Sequence, residues 1–82
     1  MLKTVLVKIE EVYVPADRRK EIDLKKVEVI AEEIMEGLEE QPIQVRRGKG
    51  RYVLVSGVDS LEARKALGEE VVHVVIVGAR LH

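Results

Sequence analysis

Cysteine is absent from this chain, so disulfides, thiolate metal sites and cysteine nucleophiles are all excluded. Aromatic residues are almost absent: Tyr13 and Tyr52 make up 2% of the sequence, with no Trp or Phe. With so few aromatic faces there is no platform on which successive bases could stack, which argues against a general single-strand nucleic-acid binder. Asparagine is missing, and Thr4, Gln41 and Gln44 are the only threonine and side-chain amides. Neither sign of charge dominates: 14 basic against 15 acidic residues leave a net charge of −1. Proteins that hold nucleic acid through its phosphates usually carry a basic surplus, so DNA is not an expected partner of this chain alone. No apolar run approaches the roughly 20 residues of a membrane-spanning helix. The first residues, Met1 to Lys8, are interrupted by charge too early to read as a secretory leader, so the expected location is cytoplasmic.

What is present is aliphatic and charged. The 82 residues suffice for one domain spanning 1–82 with one modest core. Hydrophobic residues are 46% of the chain, enough to drive folding, and the core must be built from Val, Leu and Ile. Charged residues reach 35%. High Lys, Glu and Arg with few labile amides suits a thermostable protein, and suits an engineered or consensus-like sequence equally well.

Residues 2–9 are rich in branched aliphatics and read as a strand, with 10–14 extending it or forming a second short strand. Pro15 ends regular pairing, and 16–22 read as a charged loop. Asp23 is a good helix N-cap. After it Leu24, Val27, Ile30, Ala31, Ile34, Met35 and Leu38 recur at three and four spacing, which predicts one apolar stripe on an amphipathic helix running to about Gly37. Ile43 to Arg46 and Arg51 to Val55 alternate around Arg47-Gly48-Lys49-Gly50, which predicts a hairpin. Residues 59–67 predict a second helix stopped by Gly68. The almost continuous apolar run 71–77 reads as a buried strand, either central in the sheet or paired across a dimer. The order predicts a mixed α/β (α+β) domain, a small mixed sheet packed with two main helices.

Those residues carry a resemblance. The run Gln41-Pro42-Ile43-Gln44-Val45-Arg46, a glycine turn, Tyr52 to Gly57, and then Leu61-Glu62-Ala63-Arg64-Lys65-Ala66-Leu67-Gly68 resemble the ParB N-terminal and sulfiredoxin-like superfamily. The N-terminal half agrees in outline: a strand, a Val-Pro followed by Arg18 and Arg19, then a helix ending in Gly-Leu. The resemblance implies a nucleotide site where a strand ends in glycine and a helix begins. Free N–H groups and the positive end of the helix dipole would hold phosphate there. It implies ATP or CTP with Mg²⁺ as the ligand, at Gly57, Val58, Asp59, Ser60 and Leu61, with Arg18 and Arg19 lining the pocket. The sequence departs from the family at 59 and 60, where Asp59 and Ser60 stand in place of His or Arg. A carboxylate there repels a triphosphate unless a cation intervenes. Sulfiredoxin chemistry also needs a cysteine near this turn, and none exists. The helical DNA-binding domain of full ParB proteins lies outside the resemblance.

Each candidate has a plainer reading beside it. The turn 56–60 either holds phosphate on the amides of Val58 to Leu61 and the Ser60 hydroxyl, or Asp59 or Ser56 merely caps the helix. Arg46, Arg47, Lys49 and Arg51 either meet phosphates or form a solvated hairpin tip that protects a strand edge. Arg18 and Arg19 either face a nucleotide or sit in a wet loop. His73 has no second histidine nearby in sequence, so no metal site is expected. No catalytic residue is assigned. The expected function is binding of a nucleotide or other phosphate ligand with weak or no catalysis, a weak nucleotide phosphohydrolase being the enzymatic variant. The alternative is a ligand-free, degenerate or engineered scaffold serving as an interaction module, and a DNA-associated ParB-like protein stands third. Monomer and homodimer are both compatible with the sequence.

Overall fold

The computed structural model describes residues 3–38 and 41–78. Its strands are β1 (Val5–Lys8), β2 (Val12–Tyr13), β3 (Ile43–Arg47), β4 (Tyr52–Ser56) and β5 (Val71–Ile76). Its helices are α1 (Ala16–Arg19), α2 (Leu24–Met35) and α3 (Val58–Ala66), with a 3₁₀ turn over Ile9–Glu11 between β1 and β2. The five strands form one mixed sheet in the order β1-β5-β3-β4-β2.

The hairpin expected from the alternating runs is present: β3 and β4 pair antiparallel, with Val45 opposite Leu54 and Arg47 opposite Tyr52. The Gly48 N–H donates to the Arg51 carbonyl at 2.8 Å to close the turn. α3 then carries the chain across β3, and β5 pairs with β3 in parallel, Ile43 beside Val74. Strand β5 is therefore internal, flanked by β3 and by antiparallel β1. This accounts for its run of valines: Val72 and Val74 are buried on the core side. The core is aliphatic, as the composition requires. Leu54, Leu61, Val45 and Val74 are its largest fully buried side chains.

Two expectations are corrected. The segment after Pro15 is a short helix, not a loop. Pro15, with its φ preset at −61°, occupies the N-cap position, and its carbonyl accepts from the Arg19 N–H at 2.9 Å. The Arg19 guanidinium closes the turn by donating to the Val14 carbonyl at 3.1 Å. The long helix is also not buried along a full stripe. α2 packs chiefly on α3, and Val27, Ile30 and Ile34 are only half-buried, whereas Leu24, Met35 and Leu38 stand in water. The ends of α2 are as expected. Asp23 caps it, its carboxylate accepting from the Lys25 N–H at 3.0 Å. At the other end Gly37, at φ +81°, lets the Leu38 N–H reach back to the Glu33 carbonyl at 2.9 Å. No helix among the described residues is long and apolar enough to cross a membrane.

Candidate functional site

The turn between β4 and α3 is built around Gly57. Its backbone is left-handed, φ +96° and ψ 30°, a region that costs other residues strain. Its α-carbon faces β3 so closely that a β-carbon there would lie 3.1 Å from the Ile43 α-carbon. Immediately after it, Val58 and Leu61 bury their side chains in the core, and Ala63 is buried as well, so the start of α3 is held rigidly. Ser60 is the one buried polar residue among the described residues.

The N–H groups of Val58, Asp59 and Ser60 occupy the first three positions of α3, where the helix offers no acceptor of its own. No side chain among the described residues caps them. This corrects the expectation that Asp59 or Ser56 would do so. Asp59 turns elsewhere: its Oδ1 accepts from the Asp23 N–H at 2.9 Å. Asp23 in turn caps α2 with its own carboxylate, so the Asp59 carboxylate ties the start of α3 to the start of α2. Leu61 also leaves the set of expected phosphate-binding amides, because its N–H donates to the Gly57 carbonyl at 3.0 Å. Replacing Asp59 with Ala should lower stability by about 1 kcal/mol, the net worth of one such bond plus a small helix-dipole term. Urea denaturation read by circular dichroism checks this, and an unchanged midpoint would show that the bridge contributes nothing.

Ser60 opens on one side into a groove of about 390 Å³ lined also by Thr4, Gln41, Pro42, Ile43, Arg64 and His73. Spacing alone could have linked Arg64 to Ser60, since positions four apart share a helix face. Thr4 and His73 carried no sequence signal, because sheet pairing brings them there. Arg64 is not idle: its guanidinium holds the Glu69 carboxylate through both oxygens, at 3.1 and 3.2 Å.

Arg18 and Arg19 have partners of their own. Arg18 pairs with Glu21 at 3.3 Å, and Arg19 braces Val14. Arg46 lies exposed on β3 opposite Val53, and Arg47 takes the next position, on the other face. Arg51 stacks 4.0 Å from the centre of the Tyr13 ring. Arg46 thus faces away from Arg47, whereas Arg47 and Arg51 line one shallow pocket with Glu11 and Tyr52. Among the described residues no three His, Asp or Glu side chains group closely enough to hold a metal ion. The site offers donors for an anion and shows no arranged acid–base pair.

No family model matches the sequence, and no curated protein matches it. Solved structures do. Sulfiredoxin from Arabidopsis thaliana superimposes with a TM-score of 0.80 at 26% identity, over 94% of this chain and 86% of that one. The ParB protein from Caulobacter crescentus, truncated at its C-terminus and complexed with CTP-gamma-S, gives a TM-score of 0.73 at 25% identity. That match spans 98% of this chain but only 46% of the ParB chain. A free serine kinase in complex with AMP gives 0.74 at 18% identity, over 93% of this chain and 31% of the kinase. The chain therefore has the ParB/sulfiredoxin-like fold, as its motifs implied.

Proposed function

We propose that this chain binds a nucleotide or another phosphate-bearing small molecule, with its phosphate on the N-terminal amides of α3 and weak or no catalysis. One observation carries the reading. The rigid start of α3 presents the N–H groups of Val58, Asp59 and Ser60 without a side-chain cap, beside a groove that Ser60 and Arg64 line. Such amides and the helix dipole attract an anion. The likeness to structures solved with AMP and CTP-gamma-S supports the choice of a nucleotide. The residues present fit one phosphate group better than a triphosphate, since positions 59 and 60 supply no positive side chain. Asp59 and Asp23, which meet at the start of α3, favour a ligand that arrives with Mg²⁺, whose charge offsets theirs. Arg18, Arg19 and Arg46 are outer contacts at most, given their present partners and exposure.

The test is titration with AMP, ADP, ATP and CTP, each with and without Mg²⁺, following the amide resonances of Gly57 to Ser60. Shifts confined to these residues are expected at submillimolar to millimolar ligand. No shift at millimolar ligand ends the reading.

A second reading is favoured by the Asp59 contact. A carboxylate that joins α3 to α2 serves a scaffold without ligand, working as an interaction module. The double variant Asp59→His with Ser60→Arg separates the two. If nucleotide binds that variant and not the native chain, the native chain is the ligand-free form.

A further inference from the structure

The two longer helices begin at the same place. The Asp59 carboxylate, in the first turn of α3, holds the N–H of Asp23, the residue that caps α2. Both helices therefore bring their positive ends to one spot, and two carboxylates sit there. Neither carboxylate has a cationic partner. The ion pairs among the described residues are Arg18 with Glu21, Arg64 with Glu69 and Lys65 with Glu62. A carboxylate folded back onto α3 would have occupied the amides at its start. Bridging to Asp23 instead, Asp59 leaves the N–H groups of Val58 to Ser60 open and leaves its negative charge beside them. A second feature points to a ligand at these amides. Ser60 is 8% exposed and lines the adjoining groove. Its hydroxyl has no hydrogen-bond partner among the described residues. No side-chain oxygen there is sealed from solvent without a partner, so this hydroxyl opens on the groove.

An open donor set with a fixed carboxylate beside it accepts one phosphate and repels the next. The amides and helix ends act within the first turn, so they favour the phosphate seated on them. Asp59 acts on all the charge a ligand brings near it, and each further phosphate brings more. At about 6 Å and an effective dielectric constant of about 40, one such repulsion weakens binding roughly tenfold. We propose that Asp59 is a specificity-determining residue of this site. It restricts the ligand to a single phosphate group, as in a nucleoside monophosphate, and admits longer phosphate chains only where Mg²⁺ cancels their charge. This rests on the binding reading above and adds to it the residue that ranks the ligands. The bond to Asp23 makes the carboxylate effective, since an untethered side chain would swing away from an arriving anion.

Amide-resonance titrations of the full chain with AMP, ADP and ATP at fixed ionic strength test this, each with and without Mg²⁺. In the native chain without Mg²⁺, affinity should fall from AMP to ATP, and Mg²⁺ should narrow the gap. Asp59→Asn keeps an oxygen that can accept from the Asp23 N–H and removes only the charge. It should tighten ATP at least about tenfold more than AMP, so that ATP becomes the best ligand. Asp59→Ala, which loses the bridge as well, should give the same inverted order. Glu36→Gln makes the same change of net charge about 20 Å away, at the far end of α2, and should leave the native order intact. Circular dichroism confirms that each variant is folded. A native chain that prefers ATP without Mg²⁺ overturns the proposal and leaves the binding reading standing. So does an Asp59→Asn chain that keeps the native order, an Asp59→Ala chain that differs from it, or a Glu36→Gln chain that inverts the order. A native chain whose Gly57 to Ser60 resonances stay still with all three nucleotides ends the binding reading itself, and this proposal with it.

Discussion

Gly57→Ala should lower the stability of this chain by roughly 2–4 kcal/mol, in which left-handed backbone strain accounts for about 1–2 and crowding for the rest. Gly57 sits at φ +96°, and its would-be β-carbon meets the Ile43 α-carbon at 3.1 Å and Cγ1 at 3.3 Å. Neither atom can withdraw easily. Ile43 is buried, and its strand pairs with β5 on one side and β4 on the other. The glycine therefore serves two needs: the left-handed corner that starts α3, and the close approach of that corner to the sheet. Urea denaturation at neutral pH measures the loss. A change below about 1 kcal/mol would mean that the corner relaxes freely, and the rigid anion seat argued above would lose its physical basis.

Leu61→Ala should cost about 3 kcal/mol, within the range for removing a fully buried leucine, because 0% of this residue is exposed. For a domain this small that corresponds to a fall in melting temperature of roughly 12–24 °C. Leu61 packs in the same cluster as Val58, Ile43, Val45 and Val74, so its loss loosens the first turn of α3 along with the core. The control is Leu24→Ala on α2. The native side chain is 77% exposed, so that substitution should change stability by no more than about 0.5 kcal/mol. Differential scanning calorimetry on both variants decides the matter. Equal effects at the two sites would contradict the division between core and surface described here.

Much of the architecture was legible because its signals are local. The Asp23 cap works over two residues, from its carboxylate to the Lys25 N–H. The hairpin follows from two alternating runs and a glycine turn, and Val72 and Val74 announce an internal strand by leaving no polar residue on its core side. The strand, glycine and helix of the candidate site could be read from Val55 to Ala66 alone. The short helix after Pro15 is not legible in the sequence, because a proline followed by charges resembles a loop. Its turn is secured by the Arg19 bond to Val14, which composition does not reveal.

The sequence by itself determined the elements, the aliphatic core and the place where a helix begins after Gly57, since each depends on neighbours within a few residues. Only the tertiary structure decided what those elements do for one another. Asp59 and Asp23 lie 36 residues apart, and nothing in spacing predicts that one carboxylate would seize the other's amide instead of capping its own helix. The period of α2 announced an apolar face but not its partner. How much of that face is covered depends on what packs against it, and α3 leaves Leu24 and Met35 exposed. Burial is a property of pairs of surfaces, and a chain read in one dimension displays only one of each pair.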